Sequence, residues 1–167
     1  AFNPVSPFAI KSFDQIDSNL GQESDLIELI DSAHAKGLKI LMEMNFAVTG
    51  PSHPWRLNNP EYYKSDVKIV DKKYNQDYVK LNLDNSSLQN KLIKSYKVFF
   101  NKFQFDGVVL YDTERYPSDF LNKILRSINR KTGFALFEHG STLSNGFHYH
   151  SNSGLYSKFQ NIDSEGS

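Results

Sequence analysis

The stretch FDGVVLYDTERYP, residues 105–117, decides how this chain is read. Val108-Val109-Leu110 is an apolar run of the kind required by a strand buried on both faces, and it stops abruptly at Tyr111-Asp112-Thr113-Glu114-Arg115. Parallel barrels keep their chemistry at such strand ends. Asp112, Glu114 and Arg115 are therefore either a catalytic apparatus or groups that cap and pair locally.

Upstream, Glu23 to Lys36 sets Leu26, Leu29, Ile30 and Ala33 on one face at helical spacing, and Gly37 follows as a stop signal. KILMEMNF, residues 39–46, reads as a buried strand, and Ala47 to about Leu83 reads as a polar loop rich in Pro and Tyr. Leu88, Leu92, Tyr96, Phe99, Phe100 and Phe103 then recur with the spacing of a long amphipathic helix. Beyond the strand Gly107 to Tyr111, a helix is predicted from about Asp119 to Arg130, with Phe120, Ile124 and Ile128 inward. A strand at Phe134 to Phe137 and a polar loop or tail over 151–167 complete the pattern. Apolar strands alternating with amphipathic helices imply parallel pairing through right-handed crossovers. The fold class is α/β, either a doubly wound sheet or a barrel.

Composition narrows the chemistry. Lys plus Arg equals Asp plus Glu at 19 each, so no net field attracts nucleic acid or an anionic bilayer, and a neutral partner or substrate is expected. The chain has no cysteine, which excludes a disulfide framework or a thiolate metal site within it. No GxGxxG or GxxxxGK[ST] occurs, which argues against a nucleotide enzyme, and no cofactor is expected. His148 and His150, with His139, lack a companion carboxylate at a recognised ligand spacing and lie among Ser, Asn and Gly, so no metal is expected either. His34 falls on a helix flank and His53 in the PSHPW loop. Asn85-Ser86-Ser87 is a glycosylation sequon.

In either α/β architecture, ligands meet the carboxyl ends of the strands. Those ends are Glu43 to Val48, Tyr111 to Glu114 and Glu138-His139. Glu43, Asp112, Glu114 and Glu138 at one mouth would supply the minimum for acid and base chemistry on a glycosidic bond. The plainer alternative is that these acids cap helices or pair with Arg115 and lysines.

Several segments in order resemble the α-amylase family of glycoside hydrolases, in particular its α-glucosidase-like branch. FDQIDSNLGQESDLIELIDSAHAKGLKILMEMNF is similar to that family's run from the second strand to the third, and PSHPW to the segment that follows. YVKLNLDNSSLQNKLIKSYKVFFNKFQFDGVVLYD is similar to the approach to the fourth strand, and FALFEHG to the fifth. The resemblance covers residues 1 to about 140 and implies part of a (β/α)8 TIM barrel, from the end of strand 2 to just past strand 5. Residues 1–150 would belong to that barrel, with 47–83 a shortened loop after strand 3. An open part-barrel exposes sheet edges that the complete fold closes. The chain thus reads as a piece of something longer.

The same resemblance shows what the mouth has lost. The third-strand pattern DxxxNH falls on Glu43, Ala47 and Val48, leaving Glu43 as the substrate-binding position. The fourth-strand pattern DGFRLDA falls on DGVVLYD, so Val109 stands at the Arg position and Tyr111 at the nucleophile position. A phenol with a pKa of about 10 beside a valine does not supply an ionised carboxylate. Asp112 lies one residue along and points the other way on a strand unless a bulge re-aims it. The GYD element falls on Pro7-Phe8-Ala9, while Glu138 keeps the general-acid position.

Loss of catalysis with retention of framework is similar to the ectodomains of heteromeric amino-acid transporter heavy chains. That branch implies a non-catalytic scaffold on the cell surface, a membrane transporter light chain as partner, and a glycan at Asn85. Only about two dozen residues separate Trp55 from Leu81, too few for the larger inserted domain of active α-glucosidases. The alternative is a divergent, secreted α-glucosidase acting on an α-glucoside, using Glu138 with Asp112 or Glu43. A third reading is a silent barrel that binds sugar through Trp55, Tyr62, Tyr63 and Tyr74.

Overall fold

The structure, a computed structural model, describes residues 9–71, 76–127, 135–140 and 149–152. The elements run α1 (Glu23–Ala35), β1 (Leu41–Met44), β2 (Val48–Thr49), α2 (Trp55–Asn58), β3 (Tyr63–Asp71), β4 (Gln76–Leu81) and α3 (Ser86–Lys102). They continue with β5 (Gly107–Tyr111), α4 (Ser118–Ser127), β6 (Ala135–Gly140) and β7 (Tyr149–Asn152).

A four-stranded sheet in the order β1-β5-β6-β7 is parallel throughout, with Leu41 opposite Gly107 and Gly107 opposite Ala135. Parallel neighbours need crossovers, and α3 supplies the one between β1 and β5. Its amino end is set by Asn85, whose side-chain oxygen accepts the Leu88 N–H at 3.1 Å. Leu88 and Leu92 of α3 and Phe120 and Ile124 of α4 are buried with Val108 and Leu110 of β5. Phe46 sits among them, its ring 5.9 Å from Phe120 and 6.3 Å from both Tyr96 and Tyr116.

Three expectations are corrected. The segment 47–83 is not a plain loop: β2, β4 and β3 form a second, antiparallel sheet, and α2 lies between β2 and β3. Val79, Leu81 and Leu83 alternate with polar residues and are all buried, a period of two that the high content of Lys, Asn and Tyr conceals. On α1, Ile30 and Ala33 are buried but Leu29 is 59% exposed, so the apolar stripe is wider than the contact it meets. Finally, β7 runs through Ser151 and Asn152, so only 153–167 remain of the segment read as a tail, and these lie outside the described residues, as do Pro7, Phe8, Tyr74, Arg130 and His148.

A cavity of about 220 Å3 runs beside β1, lined by the consecutive residues Met42 to Phe46 together with Phe13, Tyr96 and Phe99. β1 stands at one end of the strand order, so the cavity lies along an edge of the sheet.

The start of β5 is pinned by Asp106. Its carboxylate accepts from the Ile40 N–H at 2.9 Å and Lys39 Nζ at 2.9 Å, and lies 2.7 Å from His34 Nε2, while its own N–H donates to the Ile40 carbonyl at 2.8 Å. Burial acts to raise its pKa, but the bonds from Ile40, Lys39 and His34 together hold it at about 2, below the usual 3.8. The stabilisation is thus present above about pH 4 and is lost as the pH falls toward 2. Asp106→Asn is predicted to lower stability by about 1 to 2 kcal/mol at pH 7, after discount for solvent screening. Urea unfolding at pH 7 and near pH 2.5 checks this: the gap between parent and variant must narrow in acid.

Candidate functional site

Strand β5 has two different faces. Val108 and Leu110 are fully buried against the helices, so Val109 and Tyr111 project from the opposite face of the sheet. Glu43 pairs in register with Val109 and shares that face. The consequence is a direct bond: the Tyr111 hydroxyl donates to Glu43 Oε1 at 3.1 Å. Burial, and then the charge of Glu43, raises the Tyr111 pKa above its ordinary value, so the phenol remains a protonated donor at neutral pH.

Asp112 follows in the left-handed region, at φ +56°, a conformation that Asp tolerates better than most residues. This turn ends β5 and starts the short 3-10 turn Thr113–Arg115. The Asp112 carboxylate accepts from Asn45 Nδ2 at 3.1 Å and lies 3.6 Å from Arg115 Nη1. Asn45 in turn accepts the Ala47 N–H at 2.9 Å. Tyr116 closes the arrangement from below, where its buried hydroxyl accepts the Phe46 N–H at 2.9 Å. Burial raises the Tyr116 pKa strongly, so this group is neutral.

Three hydrogen bonds therefore lace the end of β1 to the segment leaving β5. Asn45 and Tyr116 were not among the residues singled out from sequence. Asn45 carried one signal, its place two residues beyond Glu43 on the same strand parity. Tyr116 carried none, because its partner is a backbone N–H seventy positions away.

Other expected site residues lie elsewhere or are only partly described. Trp55, expected against a ligand, is half-buried in an aromatic cluster: Phe13 stacks on it at 5.4 Å, His53 and Tyr62 meet it edge-on at 4.7 and 5.6 Å, and Lys91 Nζ sits 4.7 Å over the ring. Tyr62 is buried in the same cluster, and Tyr63 bonds Thr49 at 3.2 Å. His53 is buried there as well. Its Nδ1 accepts the Trp55 N–H at 3.2 Å, and burial with the nearby Lys91 lowers its pKa to about 4, leaving it neutral. Glu138 is placed by its backbone in β6, opposite Leu110 and beside His150 of β7, and its side chain lies outside the description. His139 stands opposite Tyr111 and Ser151, so His139 and His150 are offset by one residue. Ala47 and Val48 are buried and apolar. Asn85 is the cap of α3, its amide nitrogen 3.4 Å from the Glu61 carbonyl.

No protein-family model matches the chain. Over 66 residues it is 38% identical to an alpha-1,4-glucan:maltose-1-phosphate maltosyltransferase of Cereibacter sphaeroides, a match covering 36% of this chain and 10% of that one. Its structure is similar to a maltogenic alpha-amylase of Thermotoga neapolitana, with a TM-score of 0.80 at 18% identity over 97% of this chain and 39% of that one. It is equally similar to an alpha-amylase of Lactobacillus plantarum, with a TM-score of 0.79 at 20% identity over 97% of this chain and 43% of that one. The architecture is thus part of an α-amylase-type TIM barrel, and the chain spans about two fifths of the length of these solved enzymes.

The lacing has a measurable cost of removal. Tyr116→Phe leaves the Phe46 N–H buried without its acceptor and is predicted to destabilise the protein by about 1 to 2 kcal/mol. Urea unfolding checks the size, and faster exchange of the Phe46 amide checks the cause.

Proposed function

We propose that this chain belongs to a non-catalytic amylase-type barrel that serves as an extracellular scaffold or partner-binding ectodomain. The observation that carries the reading is the bond from Tyr111 to Glu43. Retaining hydrolysis needs an ionised carboxylate at the anomeric carbon. At the position that the resemblance assigns to that group stands a neutral phenol, and Val109 brings no cation beside it. Asp112 is the neighbouring carboxylate in sequence, but it is committed to Asn45 and Arg115 on a left-handed turn. The polar groups at the mouth are used for cohesion between β1 and β5.

In this reading the partner is a membrane transporter light chain, the location is the cell surface, and Asn85 carries the glycan. A second reading, a divergent enzyme acting on α-glucosides with Glu138 as its acid and Asp112 or Glu43 beside it, draws support from the names of the similar proteins, a maltosyltransferase of α-1,4-glucan and two alpha-amylases.

Hydrolysis of a chromogenic α-glucoside separates the two. The protein is expected to show no turnover, and the double variant Tyr111→Asp/Val109→Arg a trace of it. Turnover in the parent that disappears in Glu138→Gln would establish the enzyme instead.

A further inference from the structure

His53 is only 3% exposed, in the segment that leads from β2 into α2. Its Nδ1 accepts the Trp55 N–H at 3.2 Å, at the start of a short helix whose cap residue, Pro54, offers no side-chain acceptor. A neutral imidazole carries one ring proton, so with Nδ1 accepting, the proton is on Nε2. Nε2 itself has no partner among the described residues. The one lone pair open to a second proton is therefore the one that holds Trp55, and protonation would set two N–H donors against each other.

The surroundings oppose a charge on this ring as well. The Trp55 and Phe13 rings lie 4.7 and 5.7 Å from the imidazole, and Lys91 of α3 disfavours a second cation. Asp14, the acid that acts the other way, is exposed and accepts from the Ser12 hydroxyl at 2.6 Å.

We propose that His53 is an acid-operated latch: neutral, it holds α2 against Phe13 and Lys91 of α3; protonated at Nδ1, it releases that contact. Phe13 stacks on Trp55 at 5.4 Å and is also a wall of the cavity beside β1. Opening the latch thus loosens that wall while the parallel sheet stays paired. Burial, then Lys91, holds the pKa of the closed state at about 4, against 6.5 for a freed imidazole. Closure is therefore fully favoured above about pH 6.5 and is lost progressively as the pH falls toward 4.

Trp55 is the sole tryptophan, so its emission reports the latch and its backbone amide reports the bond. In the whole chain, exchange protection of the Trp55 amide is expected to fall at least about tenfold between pH 7 and pH 5. Its emission is expected to move to longer wavelength over the same range, with far-UV circular dichroism constant. His53→Asn keeps an acceptor oxygen in the place of Nδ1 but does not titrate, and is expected to hold its protection throughout. Lys91→Met removes the opposing cation and is expected to move the fall to higher pH, which keeps the test open where His53→Asn does not fold. Protection in the parent that stays flat, an equal fall in His53→Asn, a parallel loss of the far-UV signal, a midpoint unmoved in Lys91→Met, or an Nδ1–H tautomer in the nitrogen spectrum at pH 7 would overturn the proposal.

Discussion

The parallel pairing of β1 with β5 is the constraint on which the rest depends. Because Val108 and Leu110 must be buried under α3 and α4, the intervening parity of β5 is committed to the other face, and Val109 and Tyr111 have no choice of side. Asp106 sets the phase of that pairing by bonding the backbone at Ile40 just before β1 begins. A slip of β5 by one residue would turn Tyr111 toward the helix layer and away from Glu43. The contact between Glu43 and Tyr111 is therefore a product of the core rather than of the mouth where it is seen.

How much of this is legible in the sequence follows from the range of the interactions involved. Strand β5 was placed at its observed limits, because an apolar run that ends in charge marks both of its ends. Helices α1 and α3 were placed within a residue or two, because helical spacing is a local signal and Gly37 marks a stop after α1. The small antiparallel sheet was not read, since β3 and β4 carry Lys, Asp, Ser and Gln that resemble loop composition. The exposure of Leu29 was not legible either, because a periodic stripe states what a helix offers and not how much of it a neighbour covers. The lacing at the mouth was the least accessible part: Asn45 with Asp112, and Tyr116 with Phe46, join residues about seventy positions apart whose meeting depends on the finished sheet.

The residues at the mouth also make electrostatic sense as a set. A carboxylate at position 111 would face the carboxylate of Glu43 in place of the present hydroxyl, and like charges at hydrogen-bond distance force one group to hold a proton. A cation at position 109 is one remedy, and here that position is Val109. A phenol at 111 removes the difficulty differently, converting a pair of like charges into a donor and an acceptor. Glu43, Val109 and Tyr111 are thus mutually consistent, and no one of them is explained alone. A carboxylate at 111 without a cation at 109 would create repulsion where there is now a bond, so an ionised acid at that position requires both changes together. That coupling, more than the identity of any single residue, is what ties this mouth to cohesion.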